Sequence, residues 1–295
     1  MIKPLRAAAF LLPLLAAPLL SPAFAVSLRM ESITTWAENI SRSSAPANWR
    51  DTLRQEAHLG ATHLQPLATG LSVVVDGDAG FDFVPRYQRN NATFAGATVQ
   101  LRKKFGLGAL APVLSTEVGL QRRDANIAAD NSWIASGAVR FSKRFNDEWR
   151  ASLTGDWQQH YASHSTFDVR HHRLLGSVAW DITDRWQVTA GYGSLWGDFV
   201  ANASGAVWAR ALAGLITPEI GKLYPTLSWE VTDSYGLGWV SYRAKGRSDF
   251  WWLELSPALG PNTSLPLRYE TSYTKNFVGV YYKQDLWSVG VMHRF

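Results

Sequence analysis

The sequence predicts an all-β chain: a transmembrane antiparallel up-and-down β-barrel of about 14 strands, with 12 as the alternative, and a short helix in one long loop. Three observations predict it. Segments of about 10–14 residues alternate apolar and polar side chains along most of the chain. The alternation runs to the last residue, Phe295. Trp is abundant, with 14 among 295 residues. Alternate residues of a strand face opposite sides of a sheet. Lipid outside and a polar lumen inside require that pattern. Aromatic belts at two membrane–water interfaces account for the Trp.

Each alternating segment is read as one stave. Residues 53–64 put Leu53, Ala57, Leu59 and Ala61 on one face and Arg54, Glu56, His58 and Thr62 on the other. Residues 93–105 set Ala95, Ala97, Val99 and Leu101 against Thr98, Gln100, Arg102 and Lys104. Trp149, Ala151, Leu153 and Trp157 oppose Arg150, Ser152, Thr154 and Asp156. Leu174, Val178, Trp180 and Ile182 oppose Arg173, Ser177 and Asp181, and Trp251, Leu253 and Leu255 oppose Trp252, Glu254 and Ser256. Helical periodicity is nearly absent from these segments.

At the terminus, Trp287, Val289, Val291, His293 and Phe295 share one face. A strand of this kind that stops on Phe resembles the last strand of Gram-negative outer-membrane β-barrel proteins. His293 stands where that family usually has Tyr or another aromatic. The resemblance implies that the barrel-assembly machinery reads Phe295, and that the protein sits in outer-membrane lipid and lipopolysaccharide. The N-terminus agrees. Lys3 and Arg6 precede an apolar run at 7–20 and the A-x-A site Ala23-Phe24-Ala25, a secretory signal peptide cut after Ala25. A single barrel domain over 26–295 follows. Removing the leader takes the net charge from +5 to +3, because it holds two basic and no acidic residues. The basic residues are scattered, which argues against a nucleic-acid partner. The absence of Cys excludes disulfides and thiolate zinc sites.

Turn chemistry sets the expected topology. Tight joints are read at 65–67, 146–148, 183–185 and 245–247, and placed in the periplasm, where such turns are short. Longer polar stretches at 39–50, 85–91, 124–131, 162–168 and 199–226 are placed outside the cell. Strands are expected at 27–38, 51–65, 69–83, 93–105, 112–123, 132–145, 149–162, 169–183, 186–198, 228–244, 248–257, 264–274, 276–283 and 286–295. In the longest loop, Val207, Trp208, Ala211, Leu212, Leu215 and Ile216 recur at helical spacing. A helix at 206–216 is expected there, acting as a plug in the lumen or a lid on the rim.

The faces predicted to line the lumen carry Arg54, Glu56, His58, Arg102, Lys104, Glu117, Gln121, Arg140, Arg150, Asp156, Arg173, Asp181, Glu254, Arg268 and Glu270. Such side chains set the charge preference of a pore, or pair with one another and fill the interior. The excess of Arg and Lys suggests a weak anion preference. The resemblance therefore implies porin-like passage of small polar solutes, or a closed structural barrel, with no cofactor and no metal. Two other readings stand beside it. One is an outer-membrane lipid hydrolase with His164 as base and Ser165 as nucleophile. His160, His164, His171 and His172 cluster there, but barrel lipid hydrolases carry a His-x-Ser-Asn order and this chain reads His164-Ser165-Thr166. The other is a surface receptor or export barrel. Gly106-Leu107-Gly108 lacks the rest of a dinucleotide fingerprint. Gly191-Tyr192-Gly193 is read as easing strand packing.

Overall fold

The computed structural model describes residues 26–210, 228–277 and 279–295. Its strands are β1 (Val26–Glu38), β2 (Thr52–Ala68), β3 (Leu71–Phe83), β4 (Ala92–Lys104), β5 (Val113–Ala125), β6 (Ser132–Arg144), β7 (Trp149–Ala162), β8 (Arg170–Thr183), β9 (Trp186–Ala203), β10 (Trp229–Val231), β11 (Val240–Pro257), β12 (Thr263–Ser264), β13 (Leu267–Asn276) and β14 (Tyr281–Arg294). One α-helix, α1 (Gly205–Arg210), is described. Each stave pairs antiparallel with its neighbour, in the order β1 to β9, then β11, β13 and β14. β14 closes the ring on β1, with Arg29 opposite Arg294 and Trp36 opposite Trp287. The barrel thus has 12 staves, with β10 and β12 as short additions to β11 and β14. Closure leaves no unpaired sheet edge, the condition for backbone to sit in hydrocarbon.

The outer face is apolar. Leu59 is 63% exposed, Val118 65% and Leu153 52%, values that make sense only against lipid. Aromatic rings gather towards both ends of the wall. Trp149 and Trp180 stack across β7 and β8. Trp133 and Tyr161 lie across from each other on the outer face of β6 and β7 near the opposite end. A stave such as β4 has 13 residues, more than the roughly 9–11 a tilted strand needs to cross a bilayer.

The count of 14 staves is corrected to 12, and the reasons are local. The joint expected at 245–247 is the interior of β11. Gly246 sits there because the β13 backbone comes so close that a Cβ would lie 2.4 Å from the Lys275 carbonyl oxygen. It permits a close approach and makes no turn. The strands expected at 276–283 and 286–295 are likewise one strand, β14, after a turn in which Gly279 has φ +86°. The joint at 65–67 lies within β2, whose pairing slips at Pro66, and the turn follows at 69–70. The strand expected at 228–244 survives only as β10 and the start of β11. Residues 232–239 leave the wall. β9 runs to Ala203, so the long connection begins at 204 and not 199. The helix expected at 206–216 is described as α1; Leu212, Leu215 and the rest of 211–227 lie outside the described residues, as does the leader at 1–25.

The candidate lumen and its two mouths

The pairing register puts Arg54, Glu56, His58, Arg102, Glu117, Arg140, Arg150, Asp156, Arg173, Asp181, Glu254, Arg268 and Glu270 on the inward face, together with Lys104 and Gln121. They are joined by Arg29, Asp76, Asp78, Asp82, Arg123 and Arg144, which sequence reasoning missed. The signal was there: Asp76, Asp78, Gly80 and Asp82 alternate with Val75, Gly77, Ala79 and Phe81. Glycine and alanine diluted the apolar face of that strand.

The inner wall is not packed shut. Arg54, Arg173 and Arg268 pair with Asp82, Asp156 and Glu254 at 3.0, 3.0 and 3.8 Å. Yet their side chains keep 39%, 42% and 34% of their exposure, which a packed core would remove. One sector is narrowed by rings. Trp252 and Phe250 lie over Gly191 and Gly193, where an added Cβ would come within 2.1 and 2.6 Å of them. Arg268 stands over the Trp252 ring at 4.9 Å.

The mouth at the long loops is capped. Residues 228–239 form a strap running from the β7–β8 loop to the β1–β2 and β3–β4 loops. At one end His164 Nδ1 meets Glu230 Oε2 at 3.1 Å, and the Ser228 hydroxyl bonds to those of Ser165 and Thr166. At the other, Tyr235 donates to the Ile40 carbonyl at 3.0 Å, Arg89 Nε to the Thr232 carbonyl at 2.9 Å and Asn90 to the Ser234 carbonyl at 2.8 Å. Asn202 ties these loops to the wall, donating to Ser41 O and accepting from Ser241 Oγ. Burial pushes the Tyr235 hydroxyl above its usual range. It does the same to the Asp130 carboxyl, against the pull of Arg123, and to that of Asp168, against Arg243. Trp208 of α1 stacks on the inward ring of Tyr242, 5.2 Å between centroids, with Val207 packed alongside. Beneath the cap lies a chamber of about 910 Å³ bordered by Arg42, Arg54, Asp82, Arg123, Asp130 and Tyr235. Asp82 there holds Arg54 and Arg123 at 3.0 and 2.8 Å.

The His cluster is dispersed. His160 and His171 face the chamber with rings 6.5 Å apart. His172 shares the outward face with Trp157 and Trp196. His164 and Ser165 serve the strap. Among the described residues, no three His, Asp or Glu side chains are grouped to hold a metal.

The mouth at the chain termini differs. Arg144 donates to Asp181 at 3.0 Å, and Gln100 donates to Glu117. Arg102, Lys104, Arg140 and Arg150 form no ion pair among the described residues. Arg150 lies directly across from Arg144 in the β6–β7 register. Arg140 gives its Nε to Thr154 Oγ1 at 3.1 Å, leaving its two terminal nitrogens to the lumen. Arg140 and Arg150 border a recess of about 320 Å³ with Ser142, Ser152, Ser177 and Thr189. At the seam beside this mouth, the Phe295 amide donates to Leu28 O at 3.0 Å. His293 meets Thr263 and stacks edge-on to Phe295.

No family model matches the chain, and no curated protein matches it. Solved structures do. An outer membrane channel from Pseudomonas putida F1 is similar at 10% identity and a TM-score of 0.55, covering 93% of this chain and 97% of its own. The outer membrane channel DcaP of Acinetobacter baumannii is a looser likeness, at 10% identity and a TM-score of 0.46, covering 92% and 97%. The likeness is one of fold: this chain shares the closed-barrel fold of the Pseudomonas putida channel.

Proposed function

We propose that this protein is an outer-membrane pore for small polar solutes, made with a signal peptide at 1–25 and holding its terminal mouth in the periplasm. The observation that carries this reading is the open inner wall, where arginines of β1, β2, β4, β6, β7, β8 and β13 keep a third or more of their exposure. A barrel built only as a scaffold gains nothing from such a wall, since paired charges sealed from water are costly to hold. The strap and α1 narrow the outer mouth, so the solutes are small. Lipopolysaccharide surrounds the outer belt, and Phe295 serves as the assembly signal. The hydrolase alternative loses support because the Ser165 hydroxyl bonds to that of Ser228 and to no imidazole among the described residues, whereas a serine nucleophile needs its base within hydrogen-bond reach. The test is single-channel conductance of the purified protein in planar bilayers. Discrete steps that grow when residues 232–238 are replaced by a short Gly-Ser linker are expected. Silence from both proteins at every salt concentration would sink the pore.

A further inference from the structure

The terminal mouth holds a second, more specific feature. Three successive inward rows cross β6 and β7. The first pairs Arg140 with Thr154, the second Ser142 with Ser152, and the third Arg144 with Arg150. The middle row continues onto β8, where the Ser152 and Ser177 hydroxyls lie 2.8 Å apart. Arg140 therefore stands one row to one side of the hydroxyls and Arg150 one row to the other, and both border the same recess. Among the described residues no carboxylate borders it. Asp181, the nearest acid on the next stave, is already held by Arg144 and Gln187.

Two like charges directly across a sheet repel. Asp181 answers Arg144 and leaves Arg150 without a counter-charge. A guanidinium offers planar forked donors that match the oxygens of phosphate, sulfate or carboxylate. Hydroxyls complete such a shell, because each can turn its proton towards an anion. We propose that this recess binds a small tetrahedral oxyanion of the phosphate or sulfate type, with Arg140 and Arg150 as its clamps and Ser142, Ser152 and Ser177 as further donors. Resting on the pore reading, it names the solute class: small anions carrying such a group, collected at the inner mouth. Lys104, two staves from Ser142 in the same row, extends the positive field towards it.

The experiment uses inorganic phosphate and the full-length mature barrel in detergent and in bilayers. Isothermal titration at low salt should show one phosphate site. Arg140→Gln or Arg150→Gln should weaken it about tenfold or more, since charge-assisted hydrogen bonds of this kind are lost. Arg150→Lys, which keeps the charge but not the fork, should fall between. Arg173→Gln, at a paired arginine near the other mouth, should leave binding intact. Heat-modifiable migration checks that every variant is a folded barrel. No titratable site in the wild type, or equal weakening by Arg173→Gln, overturns the recess. In bilayers, millimolar phosphate should reduce chloride current in the wild type and not in Arg140→Gln. Phosphate binding without any current leaves the recess standing and removes the pore. Current without binding does the reverse.

Discussion

The two mouths of this barrel solve the same problem in opposite ways. At the loop mouth the central acid is paired and enclosed: Asp82 holds two arginines, and Asn202, Ser41 and Ser241 form a buried hydrogen-bonded knot under the strap. At the terminal mouth Arg102, Arg140 and Arg150 are exposed to the lumen with no acidic partner among the described residues. Paired, buried polar groups stabilise a shape, because breaking one strands its partner. Unpaired, hydrated cations contribute little to stability and are available to a passing ion. On the proposed reading, one mouth is held rigid and the other meets the solutes.

The largest expected effect breaks the rigid side. Asp82→Asn removes the shared partner of Arg54 and Arg123. It should cost about 2 kcal/mol or more in urea unfolding of the barrel in lipid vesicles, short of the roughly 3–5 kcal/mol of a fully buried pair because Arg54 is partly exposed. Asn202→Ala comes next. It orphans Ser41 O, leaves Ser241 Oγ with Thr232 as its remaining partner, and should cost about 1–3 kcal/mol, with faster amide exchange across 232–239. Arg150→Gln sharpens the contrast from the other side. It relieves the repulsion with Arg144, so unfolding stability should stay within about 0.5 kcal/mol of wild type or rise, while ion preference changes. A loss as large as that of Asp82→Asn would erase the distinction between the mouths.

The smallest effect is one of pH. Asp130 and Asp168 have carboxyls raised by burial. A group raised in the folded state contributes stability below its unfolded range and loses it as pH climbs through the folded one. Loop-end protection, corrected for intrinsic exchange, should therefore fall slightly as pH rises from the ordinary carboxylate range through the raised values of these two groups. Asp130→Asn should flatten part of that fall.

Much of this was legible in the sequence. Periodicity of two is a local property, so the faces of β2, β4, β7 and β8 could be assigned residue by residue, and the terminal strand set the register behind it. Stave number was not, because a glycine that makes room for a neighbour is spelled like one that makes a turn: Lys245-Gly246-Arg247 is strand interior only because β13 lies against it. The strap was missed for a related reason. Trp229–Val231 begins as a strand should, and only long-range bonds to Ile40, Arg89 and Asn90 pull the chain after it away from the wall. The recess was visible only in part. Arg140 and Arg150 were read as lumen residues, but that Arg150 faces Arg144 and shares hydroxyls with Arg140 depends on a register no single strand encodes.

The measurement that bears most directly on a hydrated pore with a cationic inner mouth is the reversal potential in a potassium chloride gradient across a bilayer. Wild-type channels should favour chloride, and an Arg140→Gln/Arg150→Gln double variant should shift towards potassium at unchanged barrel stability. A wild type that favours potassium, or a reversal potential indifferent to both arginines, would contradict the account.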